Sequence, residues 1–277
     1  MPTVAVAGGS REEILELARL SYEDYKNDVK FIVFDTEDNI DTDDVWEYRH
    51  FETEEEMVRE TVKSVADDES DILLKGGIKT HTLLKEVLKK EHQLKTQDLL
   101  SHVALVNLPA LDRQILLTDA GMNIEPTEDQ LAQIIENALN VGLSIGLTHP
   151  KIAILSAAEN INPKMASSVM AKNITERFKE QTDATVFGPL SLDLALSKVA
   201  VEHKRFKGPI EGDADILVVP GIDAGNALYK SFLLFGDATI GGTIVGTKVP
   251  IVLTSRSDKV RSKLYALKFA LMQIEDK

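Results

Sequence analysis

Among its 277 residues the chain has no cysteine. Disulfides, thiol nucleophiles and cysteine-ligated zinc are therefore excluded. Positive charge is also scarce: 31 Lys+Arg stand against 45 Asp+Glu, a formal net charge of −14. Such a balance argues against general nucleic-acid binding and against docking on anionic membranes. No apolar run reaches the roughly 20 residues that a membrane-crossing helix requires. The stretch Met1–Gly9 lacks the basic start and long apolar run of a signal peptide. A cytoplasmic protein without membrane contact is expected. No internal repeat and no Pro/Ser-rich linker interrupt the chain. His50, His81, His92, His102, His149 and His203 show no HExxH-type spacing, so no metal site is expected. A Gly-x-Ser-x-Gly nucleophile elbow is missing too, which speaks against a serine hydrolase.

The negative charge is concentrated. Residues 1–71 contain 22 Asp+Glu and 7 Lys+Arg, a net of −15, and the remainder carries +1. At roughly 150 residues per domain, the length suggests one large or two medium domains. Short Val/Ile/Leu runs alternate with amphipathic stretches throughout. Strands are expected at 3–7, 31–34, 72–74, 103–106, 115–117, 152–155, 186–187, 216–219, 243–245 and 251–253. Thr53 with Glu56 and Thr127 with Gln130 read as helix starts, as does Ser10 with Glu13 in a capping box. Asn162-Pro163 has the pattern of an N-cap followed by a first helical residue. Residues 35–56 read as a solvated acidic loop. Continuous apolar strands between helices indicate an α/β protein with mainly parallel sheet covered on both faces.

In such sheets ligands bind beyond the carboxyl ends of the strands. That rule selects Lys75-Gly76-Gly77, Asp119, Ser156, Gly188-Pro189, the segment from Pro220 to Asn226, and Ser255-Arg256-Ser257. A hydroxyl and a guanidinium at a helix start suit a tetrahedral oxyanion, although capping by Ser257 and a surface Arg256 account for the same residues. Lys75-Gly76-Gly77-Ile78-Lys79 permits close backbone approach to phosphate, or forms a simple turn. It matches neither a Walker A loop nor a dinucleotide fingerprint. The amide of Asn226 can both donate and accept, which suits a carbonyl or a pantetheine amide. Asp119 suits a base, or a cap on the turn into Ala120-Gly121.

In their order these pieces resemble the phosphate acetyltransferase/phosphate butyryltransferase family over nearly the whole chain. The resemblance runs from Lys75-Gly76-Gly77 and Ser101-His102-Val103-Ala104 through Asn123-Ile124-Glu125-Pro126-Thr127 and Leu155-Ser156-Ala157-Ala158-Glu159. It continues with Gly188-Pro189-Leu190-Ser191-Leu192-Asp193 and Gly212-Asp213-Ala214-Asp215. Asp223-Ala224-Gly225-Asn226-Ala227-Leu228-Tyr229-Lys230 and Pro250-Ile251-Val252-Leu253-Thr254-Ser255-Arg256 are its most specific parts. It implies two three-layer α/β domains with mainly parallel sheets and an interdomain cleft, similar to isocitrate and isopropylmalate dehydrogenases. The first domain would comprise residues 1–122 and 247–277, the second residues 123–246.

The activity implied is exchange of an acyl group between coenzyme A and phosphate, with acyl-CoA and phosphate as substrates and no further cofactor, in a homodimer. The wording of the motifs is most similar to the butyryl branch. The acetyl branch carries an acidic pair further on, whereas here the position six after Ser255 is Arg261. Asp258, three after Ser255, is the substitute thiol base. On this resemblance Ser255 would hydrogen-bond the thiol, and Arg256 would bind the phosphoryl group or the oxyanion. Asn226 would orient the carbonyl or pantetheine, and Lys75 would hold phosphate. Gly76, Asp119, Ser156 and Lys230 complete the expected substrate contacts. Direct thiolate attack without an acyl-enzyme agrees with the missing cysteine. An acetyl-CoA enzyme, a decarboxylating dehydrogenase and a non-catalytic CoA- or phosphate-binding relative are the alternatives. The dehydrogenase would need a metal-binding Asp cluster and a nucleotide loop.

Overall fold

The computed structural model describes residues 1–26, 28–38, 40–253 and 260–274. The chain divides into two compact units, residues 1–98 with 241–277 and residues 99–240. The sequence placed the divisions at 122/123 and 246/247. The difference at the first boundary is a hairpin: its second strand pairs in parallel with a strand of the second unit, so the hairpin packs there.

The first unit begins with β1 (Thr3–Ala7), α1 (Glu12–Asp24), β2 (Lys30–Asp35), β3 (Trp46–His50), α2 (Glu54–Ala66), β4 (Ile72–Lys75) and α3 (Thr80–Val87), followed by a 3-10 turn at Lys90–His92. The second unit comprises β5 (Ser101–Asn107), β6 (Ile115–Thr118), α4 (Glu128–Ser144), β7 (Lys151–Leu155), α5 (Ala166–Arg177), β8 (Thr185–Leu190), α6 (Leu192–Leu196), α7 (Lys198–Lys204), β9 (Ile216–Val218) and α8 (Ile222–Phe235). β10 (Thr239–Val245) leads back to the first unit, which ends with β11 (Ile251–Leu253) and α9 (Val260–Met272).

In the first unit the strand order is β3-β2-β1-β4-β11-β10. Its strands are parallel apart from β10, which runs against β11. Side chains alternate across a strand, so each strand feeds two faces. Val4, Val6, Phe31, Val33, Ile72, Leu74 and Val252 form one face, packed with Ile14, Leu17 and Ala18 of α1 and Leu267, Ala270 and Leu271 of α9. The intervening Ala5, Ile32 and Leu73 are buried as well, and α2 packs on β1, β2 and β4. Three layers result. Fully burying a side chain such as Phe31 or Leu17 contributes on the order of 1.5–3 kcal/mol.

The second unit repeats this logic with the order β5-β6-β9-β7-β8. β5 is antiparallel to β6, and the other neighbours are parallel. Leu117, Ala153, Leu190 and Leu217 join a core with Leu194 and Ala195 of α6, Val201 of α7 and the apolar side of α8. α4 and α5 pack on the sheet as well, α4 through buried Leu131, Ile134, Ile135 and Ala138.

Several local expectations change. Residues 35–56 are not a loop throughout, because β3 pairs in parallel with β2 from Phe31↔Trp46 to Asp35↔His50. Trp46 is buried, Arg19 stacks over its ring at 4.8 Å, and Asp43 Oδ1 accepts the Val45 and Trp46 amides. Ser10 does not cap α1. The N-cap is Arg11 without a side-chain bond, and the Ser10 amide instead donates to buried Asp35 at 2.7 Å. Asn162 also lies outside its helix: α5 starts after Met165, and Asn162 Oδ1 accepts the Lys164 amide in a turn.

Candidate active site

In the first unit, β1 and β4 lie side by side in parallel, Ala7 opposite Lys75. Both strands end in paired glycines, Gly8-Gly9 and Gly76-Gly77. The two turns interlock through Gly76 N–H to the Ala7 carbonyl at 2.9 Å and Gly77 N–H to the Gly8 carbonyl at 2.5 Å. A Cβ at position 76 would sit 2.2 Å from the Gly8 oxygen, so only glycine fits. Lys75 is buried, and its Nζ donates to the carbonyls of Gly76 and Ile78. Both acceptors are carbonyls of the turn itself, so the Lys75 side chain and the glycine turn are tied together.

β11 adds to the other side of β4 in parallel, with Leu253 opposite Lys75. Ser255 and Arg256 follow Leu253 by two and three residues in the chain. Ser255, Arg256 and Asp258 themselves lie outside the described residues.

In the second unit, the parallel strands β6, β9, β7 and β8 deliver Asp119, Gly221, Ser156 and Ser191 to one edge of the sheet. Asp119 is buried, and among the described residues its carboxylate accepts four hydrogen bonds. Gly121 and Met122 amides reach Oδ1 at 2.9 Å each, while the His102 amide at 3.1 Å and Asn123 Nδ2 at 2.6 Å reach Oδ2. Those contacts make Asp119 the organiser of the loop 119–123. β5 runs antiparallel to β6, which places its first residues, Ser101 and His102, at this same edge.

α8 begins here. Its Gly225 abuts the loop so closely that a Cβ would lie 2.6 Å from the Asp119 carbonyl oxygen. Asn226 Nδ2 donates to the Ala120 carbonyl at 3.4 Å, leaving the residue exposed. Lys230, also exposed, lies four residues on and so on the same helix face. The positive end of a 14-residue helix favours anionic groups. Ser156 is half-buried; its Oγ lies 2.9 Å from Ser167 Oγ, and its amide donates to the Leu190 carbonyl. Gly188-Pro189, expected at a strand end, lies inside β8. Beyond β8, the Ser191 hydroxyl and then Lys204 hold the Asp193 carboxyl below the usual carboxylate range.

Thus Lys75 and Gly76 come together in the first unit, and Asp119 and Asn226 in the second. Ser156 lies on the same sheet edge as Asp119 with β9 between their strands, and Lys230 sits one helical turn beyond Asn226. Sequence reasoning gave no role to His102 and Asn123. Asn123 bridges Asp119 to the Leu100 carbonyl, and its spacing of four from Asp119 was the available signal. The His102 ring meets Tyr229 of α8 edge-on at 6.2 Å, and its Nδ1 is buried without a hydrogen-bond partner among the described residues. Burial pushes its imidazole below the ordinary histidine value, and the Asp119 charge opposes that shift.

With this geometry in hand, the chain can be compared with known proteins. A family model described as "Phosphate acetyl/butaryl transferase" matches residues 48–271. A Bacillus subtilis (strain 168) protein named probable phosphate butyryltransferase is 37% identical over 284 residues, covering 99% of this chain and 94% of its own. A solved structure of a branched-chain phosphotransacylase from Enterococcus faecalis V583 is 59% identical with a TM-score of 0.96, covering 99% of both chains. A 4-hydroxythreonine-4-phosphate dehydrogenase from Burkholderia phymatum superposes with a TM-score of 0.58 at 13% identity, over 99% of this chain and 98% of its own. That last likeness concerns the fold alone, and it agrees with the dehydrogenase-type α/β architecture.

Proposed function

The chain belongs to the phosphate acetyl/butaryl transferase family, and from that premise we propose that it exchanges a butyryl group between coenzyme A and inorganic phosphate. The reaction is butyryl-CoA + phosphate = butyryl phosphate + CoA. The observation that carries the reading is the register Leu253↔Lys75. It sets the strand that leads in sequence to Ser255-Arg256 beside the strand that ends at Lys75. The names of the relatives, butyryl in one and branched-chain in another, favour a short acyl group larger than acetyl.

In the direction of CoA acylation, the thiol gives its proton to Asp258 and the sulfur attacks the carbonyl carbon of acyl phosphate. The C–S bond forms, the C–O bond to phosphate breaks, and phosphate leaves. A free thiol has a pKa of about 8.5, so only a few per cent is thiolate at neutral pH. Ser255 hydrogen-bonds the sulfur while the nearby base takes its proton in the transition state, general-base catalysis that contributes roughly 10²–10⁴-fold. Arg256 places positive charge where the oxyanion or the phosphoryl group develops it. Lys75 and the Gly76 backbone hold phosphate. Asn226 and Lys230 of α8, with Ser156, serve the CoA portion, and Asp119 keeps α8's neighbouring loop in shape. No acyl-enzyme and no further cofactor take part.

The protein acts in the cytoplasm as a homodimer in this reading. Support for association comes from the end of α8, where Leu234 and Phe235 are 72% and 86% exposed; large apolar side chains clustered in that way mark contact surfaces. Size-exclusion chromatography with light scattering is expected to return twice the chain mass. For the chemistry, Arg256→Ala is expected to lower turnover about 10²–10³-fold with an unchanged melting temperature. Wild-type activity in a folded Arg256→Ala protein would remove Arg256 from the mechanism.

A further inference from the structure

Away from the residues assigned to acyl transfer, the first unit gathers Glu86, Glu91 and His92. Glu86 closes α3, and Glu91 and His92 belong to the 3-10 turn that follows. The abrupt end of α3 folds His92 back on Glu86, so that Nε2 lies 2.8 Å from Glu86 Oε1 and 3.8 Å from Glu91 Oε1. One donor atom from each residue fits within 4.8 Å of the other two. The Glu86 and His92 side chains are only 8% and 6% exposed, while Glu91 is 64% exposed. Two donors are thus built into the protein and the third can swing.

We propose that Glu86, Glu91 and His92 form a binding site for a divalent transition-metal ion, with zinc as the best-suited class. An imidazole nitrogen with two carboxylate oxygens is a donor set that zinc accepts at about 2.0–2.2 Å. Tetrahedral ligation at that length separates donor atoms by roughly 3.3–3.6 Å, so the 2.8 and 3.8 Å spacings about His92 change by less than 1 Å, and a turn of exposed Glu91 closes the remaining spacing. Lys89 Nζ holds the other Glu86 oxygen, Oε2, at 2.8 Å; a second contact of this kind orients a ligating carboxylate.

The site also has an entrance. Glu91 and His92 line a cavity of about 700 Å³ together with Arg59, Glu60, Lys63 and Lys248, leaving room for a water in the fourth position. The ion would tie the 3-10 turn to the end of α3, independently of acyl transfer. No short sequence motif marks this set, because its spacing arises where a helix stops and not along one helix face.

The test uses the full chain, stripped with EDTA and dialysed, titrated with ZnCl₂ by calorimetry and with CoCl₂ by visible absorption. One saturable zinc per chain is expected, with a rise in melting temperature and a cobalt d–d band of low-coordinate type. His92→Gln is expected to weaken binding at least tenfold and to abolish the cobalt band. Glu91→Gln, at an exposed position that does not threaten folding, is expected to weaken binding while leaving the metal-free melting temperature unchanged. An absence of stoichiometric binding, or zinc binding that survives both substitutions unchanged, overturns the proposal.

Discussion

His102 has a burial problem with a measurable pH signature. Its Nδ1 lacks a partner among the described residues, and burial keeps the imidazole from taking a proton as readily as it would in water. The unfolded chain, with an ordinary histidine value of about 6.5, binds that proton first. Stability therefore rises with pH across this window, and the His102 contribution turns unfavourable as pH falls below about 6.5. Urea unfolding at pH 5.5 and 7.5 is expected to show a smaller difference in His102→Phe than in the wild type; an equal difference in both contradicts it. At Gly76 the constraint is steric. An alanine methyl 2.2 Å from the Gly8 oxygen forces the two turns apart, an overpacking cost of roughly 1–3 kcal/mol, checked by denaturant midpoint. Lys75 and Gly76 were legible because a strand followed by glycines announces a turn at a sheet edge. For Asp119 the cap on the turn into Ala120-Gly121 was legible, and the Gly121 and Met122 amides make it; its hold on His102 was not, since that amide lies 17 positions earlier, a proximity created only by hairpin pairing.

Elements with strong local signals read well. Thr127 and Gln130 make both bonds of the capping box, and Leu131, Ile134, Ile135, Ala138 and Leu139 are buried together. Thr127→Ala is expected to cost about 1 kcal/mol, seen as a lower melting temperature with unchanged activity. Thr53 likewise caps α2 through the Glu56 amide. Where a long-range partner competes, local signals fail. Ser10 carries the same capping pattern, yet its amide goes to Asp35, 25 residues away. β3 was hidden for a related reason: its alternation of Trp46 and Tyr48 is short and set among acids, and only the open edge of β2 gives it a ladder.

At the scale of the molecule, the acidic surplus of residues 1–71 resides in one part of the first unit. β4 and β11, whose ends carry Lys75 and lead to Ser255-Arg256, lie outside that segment. A strongly negative protein can therefore handle two anionic substrates, because a few cations act at short range where salt screens least. The α/β class followed from strand composition alone, since parallel strands covered on both faces need continuous apolar runs. Unit boundaries did not, because the hairpin β5–β6 declares its side only through pairing with β9. The central claim is phosphate-dependent acyl transfer, and release of CoA thiol from butyryl-CoA tests it most directly. Thiol release that requires inorganic phosphate, and that is faster with butyryl-CoA than with acetyl- or octanoyl-CoA, is the predicted result. No phosphate-dependent release with any acyl-CoA from acetyl to octanoyl would contradict it.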